Sequence, residues 1–177
     1  MSRVGKLPVQ IPDDVKFTQE GDILNFTHNN NVISYKLCRN ITIEHKDNEI
    51  TFIKKNETKH ARSEYGTDRS NVFNIIKGIK EGFVTELEIT GVGYKFDIIK
   101  NLIIFYLGYS HEIFFSLPDS VTAEFQKPNI LVLKSFNKEI LGQVSSQIMS
   151  FRETEPYKGK GIKKKGSIIL RKEGKKK

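Results

Sequence analysis

The chain has 177 residues, 37% of them hydrophobic and 28% charged, with a net charge of +8. That balance supports one medium domain or two small ones with a packed core. It leaves no stretch near the roughly 20 consecutive apolar residues that a membrane span needs. The single cysteine, Cys38, excludes an internal disulfide and reads as a small, half-buried side chain.

In chain order, Met1-Ser2-Arg3-Val4-Gly5-Lys6 has no apolar core, so neither a signal peptide nor an import leader is expected. Four strand-length segments rich in β-branched residues follow: Ile23 to Phe26, Val32 to Leu37, Ile41 to His45 and Ile50 to Ile53. Asn29-Asn30-Asn31 and Asp47-Asn48 are turn signals suited to hairpins. From Asp68 to Lys80, Val72, Phe73, Ile76 and Ile79 fall at helical spacing, and Gly82-Phe83 reads as a stop. Strands are then expected at Leu102 to Leu107, Ile113 to Leu117, Val121 to Phe125 and Ile130 to Leu133. A helix is expected over about 138–151, with Ile140, Leu141, Val144, Ile148 and Phe151 on its apolar face.

The order of these elements repeats. Residues 21–54 and 101–134 align without a gap at a constant offset of 80. Ile23 pairs with Ile103, Ile33 with Ile113, Leu37 with Leu117 and Ile50 with Ile130, with like-for-like swaps such as Phe26/Tyr106 and Phe52/Val132. Gly142 matches Gly66 only at an offset of 76, which implies a short insertion before the first helix. A sheet of three or four strands needs its apolar face covered, and one helix does that. The expected fold is therefore α+β: two duplicated small domains, each an antiparallel or mixed sheet covered by a helix, followed by a basic C-terminal tail. The boundary is expected between 1–82 and 83–177.

Residues 1–151 carry 18 Lys/Arg and 18 Asp/Glu, whereas 152–177 carry 11 and 3, so the whole excess charge lies in the last 26 residues. A basic tail on a neutral body is the footprint of a polyanion partner. In Arg152 to Lys165, glycines would let backbone amides approach phosphates and lysines would release counterions. Tyr157 could stack on a base, and Pro156 would end the preceding helix. The plainer reading is a solvated basic tail.

Other chemistry finds little support. Gly161 to Ser167 lacks the lysine that a Walker loop places before its serine. Gly91-Val92-Gly93 lacks the third glycine of a dinucleotide loop, because Phe96 stands there. His28, His45, His60 and His111 have no metal-ligand spacing, and Ser110-His111 has no obvious orienting carboxylate. No enzyme, cofactor or metal is expected.

Pro156-Tyr157-Lys158-Gly159-Lys160-Gly161-Ile162 resembles the signature of bacterial-type large-subunit ribosomal protein six. Met1 to Lys6 with Pro8, Gly66-Thr67, Gly78 to Phe83, Gly91-Val92-Gly93-Tyr94-Lys95, Leu107 to His111 and Leu141 to Val144 are similar to further stretches of that family, in order. Thr154, Glu112 and Asp68 depart from its pattern; the last replaces a usual small apolar residue.

The resemblance implies two duplicated α+β domains and a structural role in the large ribosomal subunit. It implies binding to large-subunit rRNA near the factor-binding side, beside the sarcin-ricin loop and the stalk base. Neighbouring ribosomal proteins, and translation factors nearby, would be partners; a membrane or small-molecule substrate would not. The compartment would be the ribosome of a bacterial cytoplasm or of a mitochondrial matrix. Arg152, Lys158, Lys160, Lys163, Lys164, Lys165, Arg171 and Lys172 are the expected RNA-contacting cations. Gly159 and Gly161 would allow close approach and Tyr157 would stack or hydrogen-bond, while Gly91, Gly93, Tyr94 and Lys95 form a second contact. The rival class is a stand-alone RNA-binding module or a protein-interaction adaptor.

Overall fold

A computed structural model describes residues 4–29, 31–46, 48–127 and 129–174. The chain divides into two compact units, Met1–Glu81 and Gly82–Lys177, each α+β.

The first unit opens with β1 (Val9–Gln10) and β2 (Lys16–Glu20), followed by β3 (Ile23–His28), β4 (Asn31–Lys36), β5 (Ile41–Lys46), β6 (Glu49–Lys54) and α1 (Lys59–Glu81). These strands form two antiparallel sheets, ordered β1-β6-β5 and β2-β3-β4, where a single sheet was expected. The four expected strands divide as two hairpins, β3–β4 and β5–β6, one in each sheet, and each sheet gains one strand that the sequence does not mark. β2 is exposed along most of its length, so it gives no apolar alternation, and β1 has only two residues. The helix packs against strands of both sheets and closes a core of Leu24, Phe26, Ile50, Phe52, Val72 and Ile76.

α1 also starts nine residues earlier than the apolar spacing implies. Thr58 caps it, its hydroxyl accepting from the Ala61 amide at 3.2 Å. The added turns carry mostly exposed polar residues, with Ala61 buried, so no amphipathic period marks them. α1 has 23 residues against 14 in the second unit's helix.

The second unit contains β7 (Phe83–Thr90), β8 (Lys95–Ile99), β9 (Leu102–Tyr106), β10 (Ile113–Ser116), β11 (Val121–Lys127), β12 (Ile130–Ser135), α2 (Lys138–Phe151) and β13 (Gly161–Lys164). Its sheets are β8-β9-β10 and a four-stranded β11-β12-β7-β13. Asn137 caps α2, accepting from the amides of Glu139 and Ile140. Leu87, Phe96, Phe105, Leu131, Leu133 and Ile148 lie in the core.

The duplication is real, but its offset is not constant. Equivalent hydrogen bonds reveal a drift. Ile11 donates its amide to the Asn48 carbonyl as Ile89 does to Asn129, and Ile41 to Cys38 as Val121 does to Pro118. Hairpin partners agree: Val9↔Ile50 corresponds to Leu87↔Leu131, and Phe17↔Phe26 to Phe96↔Phe105. Offsets therefore run 78 at β1/β7, 79 at β2–β3/β8–β9, 80 at β4–β5/β10–β11 and 81 at β6/β12. The ungapped alignment is correct only in its middle. Ile23 and Ile103 are not equivalent, since Ile23 is 41% exposed and Ile103 fully buried; a one-residue slip in a strand exchanges its two faces. Phe52 corresponds to Leu133, and both are buried.

The basic tail is likewise part of the fold. β13 pairs with β7, Ile162 opposite Ile89 and Lys163 opposite Glu88, and Ile162 is buried in the core. The outer edge of β13 is covered by its own chain, because the Ile162 amide donates to the Arg152 carbonyl at 2.9 Å and the Ser167 amide to the Lys164 carbonyl at 3.1 Å. Nor does Pro156 end α2. The helix stops at Phe151, where Arg152 turns extended at φ −152°.

Candidate nucleic-acid interface

The chain leaving α2 makes a tight turn over 156–158, crosses back as β13, turns again at Gly166 and returns to where it started. The Gly159 amide donates to the Glu155 carbonyl at 2.9 Å, the Glu155 amide to Lys160 at 2.8 Å, and the Lys172 amide to Pro156 at 2.9 Å. Arg171 lies against Gly159: a Cβ at that glycine would come 3.2 Å from the guanidinium. Tyr157, Lys158, Lys160, Arg171 and Lys172 are therefore gathered around one turn by backbone bonds. Tyr157, Lys158, Arg171 and Lys172 are exposed and Lys160 is half-buried.

The glycines serve the chain itself before any partner. Gly161 is buried with φ 136°, and a Cβ there would sit 2.6 Å from the Glu153 carbonyl oxygen and 2.7 Å from the Thr154 Cα. No L side chain fits that backbone. Close approach at Gly161 is thus to residues 153–154. Gly159, with φ 70°, is also buried.

The lysines divide into two groups. Lys163 faces Glu88 across the β13–β7 ladder at 3.2 Å, and Lys165 pairs with Glu86. These pairs place the segment on the sheet and spend part of their charge internally. Each is a partly exposed pair, of a type contributing about 0–1 kcal/mol. Among the described residues, Lys158, Lys160, Lys164, Arg171 and Lys172 have no carboxylate within 4 Å. Lys175, Lys176 and Lys177 lie outside the described residues.

The second expected contact, Gly91 to Lys95, joins the first. It forms the turn between β7 and β8, with Gly93 at φ 74° and Val92 88% exposed. The Tyr94 ring folds back on Gly91, where a Cβ would come within 2.4 Å. Lys95 instead lies over the Tyr106 ring, 4.5 Å from its centroid. Tyr94, Tyr109, Arg152, Lys160, Glu153 and Glu155 line a common open cavity of about 480 Å³. Arg152 lies over the Tyr109 ring at 4.8 Å, and the hydroxyls of Tyr109 and Tyr94 raise the pKa of its guanidinium. The Tyr109 hydroxyl donates to the Phe151 carbonyl at 3.1 Å, satisfying the last turn of α2.

Tyr109 and His111 were not among the residues singled out for binding. Their only sequence signal is membership of the Leu107 to His111 stretch. What places Tyr109 at the site is contact with residues more than 40 positions away.

In the first unit, Asp68 is fully buried and accepts from the Tyr35 hydroxyl at 2.9 Å and the Cys38 amide at 3.0 Å. Asn71 donates to the Tyr35 oxygen at 3.1 Å. Burial, then the Asp68 carboxylate, push Tyr35 up to about 12 and Cys38 up to about 11. This network ties α1 to β4 and the loop after it. Among the described residues no group of three or more His, Cys, Asp and Glu side chains could hold a metal ion, and no helix is long and apolar enough to cross a membrane.

Comparison of the sequence with known proteins matches it to a family. The model of the family "Ribosomal protein L6" matches residues 9–82 and 90–165, one match in each unit. Relatives named large ribosomal subunit protein uL6 are similar over all 177 residues and over their own full length: 41% identical in Rhodospirillum centenum, 40% in Acinetobacter baumannii and 39% in Methylorubrum extorquens. With a family match in each half and relatives aligned from end to end, the chain belongs to the ribosomal protein L6 family.

Proposed function

We propose that this protein is a structural constituent of the large ribosomal subunit and holds large-subunit rRNA through its second unit. The observation that carries the reading is the folded turn of residues 152–172. Four cations that have no carboxylate within 4 Å among the described residues (Lys158, Lys160, Arg171 and Lys172), an exposed tyrosine and the Tyr94–Arg152 cavity meet there. Fixed cations replace condensed counterions around phosphates, and aromatic rings accept unpaired bases. The first unit, with 13 Lys/Arg against 11 Asp/Glu, then acts as a scaffold. The family relationship supports a position near the factor-binding side, beside the sarcin-ricin loop and stalk base, with neighbouring ribosomal proteins as partners and translation factors passing close by. The ribosome would be that of a bacterial cytoplasm or a mitochondrial matrix. The role is one of binding and placement, not catalysis.

The test is sedimentation of the tagged, full-length protein with large subunits at moderate salt. Wild type is expected in the large-subunit peak. A variant with Lys158, Lys160, Arg171 and Lys172 changed to Ala is expected to remain at the top of the gradient while melting at the same temperature. A wild-type protein that stays free of large subunits would favour a stand-alone module or adaptor.

A further inference from the structure

We propose that the β9–β10 loop, Gly108 to Glu112, is a separate base-stacking contact, in which Tyr109 and His111, backed by Arg152, take an unpaired nucleotide of the bound RNA. This rests on the RNA-binding reading above and adds to it a loop that contributes no lysine to the basic turn.

Three observations converge. First, the planar groups of this loop and Arg152 are already associated. The Tyr109 and His111 rings stack with centroids 5.9 Å apart and planes 23° apart, while the Arg152 guanidinium lies over Tyr109 at 4.8 Å. Tyr109 is 43% exposed and His111 is exposed, so the stack borders solvent instead of filling a core. Second, Tyr109 is held in place. Its hydroxyl donates to the Phe151 carbonyl at 3.1 Å, which fixes the ring relative to α2 and to the cavity shared with Tyr94 and Lys160. A pre-positioned ring loses little side-chain entropy on binding.

Third, the duplication provides an internal comparison. The offset between copies changes from 79 to 80 across this turn: Phe26 opposite Ile33 corresponds to Phe105 opposite Ile113, so the second copy has one residue more. The shorter turn of the first copy follows His28 at the end of β3, which is bonded through Nδ1 to the Asp14 carbonyl at 2.8 Å, and its sequence is asparagine, with no tyrosine. Loop length and aromatic content thus differ between copies where the second borders the basic turn. Every base has a π-face, so such a stack recognises an unpaired nucleotide through its ring rather than its sequence, with the backbone phosphate directed to Arg152 and Lys160.

The experiment measures binding of the full-length protein to a large-subunit rRNA transcript over a salt series. His111→Ala is expected to weaken binding about 5- to 150-fold, the range for loss of one stacked base, with the salt slope unchanged because no counterion is involved. His111→Phe should restore most of the affinity. Lys158→Ala, by contrast, should reduce the slope by about one charge. Tyr109→Ala should lose more affinity than His111→Ala, and Tyr109→Phe, which keeps the ring, should lose less. Thermal melting checks that the variants fold; His111→Ala removes only an exposed ring and is the decisive one. If His111→Ala binds as wild type while Lys158→Ala is weakened, the stacking contact is overturned and the RNA reading stands. A fall in slope with His111→Ala would equally overturn it, showing a charge contact. If wild type itself fails to bind the transcript with any salt dependence, the RNA reading fails and the stacking proposal with it.

Discussion

At the scale of single residues, the glycine-lysine motif does two jobs that look identical in the sequence. Gly161 answers to Glu153 and Thr154 across a gap with no room for a Cβ. Gly161→Ala is therefore expected to destabilise the second unit by at least about 1–3 kcal/mol, the range for backbone held in a region that L residues avoid. Gly93→Ala meets no atom within 4 Å and should cost about 1–2 kcal/mol from its positive φ alone. Thermal melting of the two variants checks the order, and equal losses would count against the packing role of Gly161.

Asp68 poses a similar question in the first unit. Asp68→Ala leaves the Tyr35 hydroxyl and the Cys38 amide without their acceptor, at an expected loss of about 1–3 kcal/mol or more. The same network predicts a response to alkali. Both pKa values are raised in the folded state, so folding disfavours the deprotonated forms. Stability from this source is complete below about pH 9 and is lost as pH rises towards 11–12. Tyr35→Phe should flatten that loss; a stability curve identical to wild type between pH 9 and 12 would contradict the assignment.

At the scale of elements, the decisive one is β13. A tail that only carries charge, as composition suggests for residues 152–177, could be removed with both units left folded. With β13 as the fourth strand of its sheet and Ile162 in the core, deletion of residues 152–177 should instead lower the melting temperature of the second unit, leaving the first unchanged. Ile162→Ala alone should cost about 2–5 kcal/mol, as should Phe52→Ala and Leu133→Ala in their own units. Denaturant melts of the three variants, followed by probes in each unit, would reveal whether each loss stays in its own half. Loss of binding in a truncated protein therefore cannot by itself be assigned to lost charge, and point changes at Lys158 and Lys160 are the cleaner test.

At the scale of the molecule, the free cations set the electrostatics. If Lys158, Lys160, Lys164, Arg171 and Lys172 each neutralise a phosphate, log K against log salt should fall with a slope of roughly −3.5 to −4.5. Lys163→Ala and Lys165→Ala should change that slope less than Lys158→Ala or Lys160→Ala, because Glu88 and Glu86 already balance them. Equal changes at all four positions, measured by filter binding, would mean that the tail acts as an undifferentiated polycation.

Period-two and helical apolar spacing determined most strands, the apolar half of α1 and all of α2. The repeat of that pattern determined the duplication, and the order of short motifs determined the family. These are local properties, legible because side-chain periodicity follows backbone geometry. Only the tertiary structure decided the rest. One-residue changes in turns shifted the offset from 78 to 81 without disturbing the alternation on either side, so an ungapped alignment concealed them. β2 and the first turns of α1 bury too little apolar surface to leave a pattern. Arg152 meets Tyr109, and Lys163 meets Glu88, across separations of 43 and 75 residues. Those contacts are fixed by how the sheets and α2 close around a core, and no local propensity encodes them.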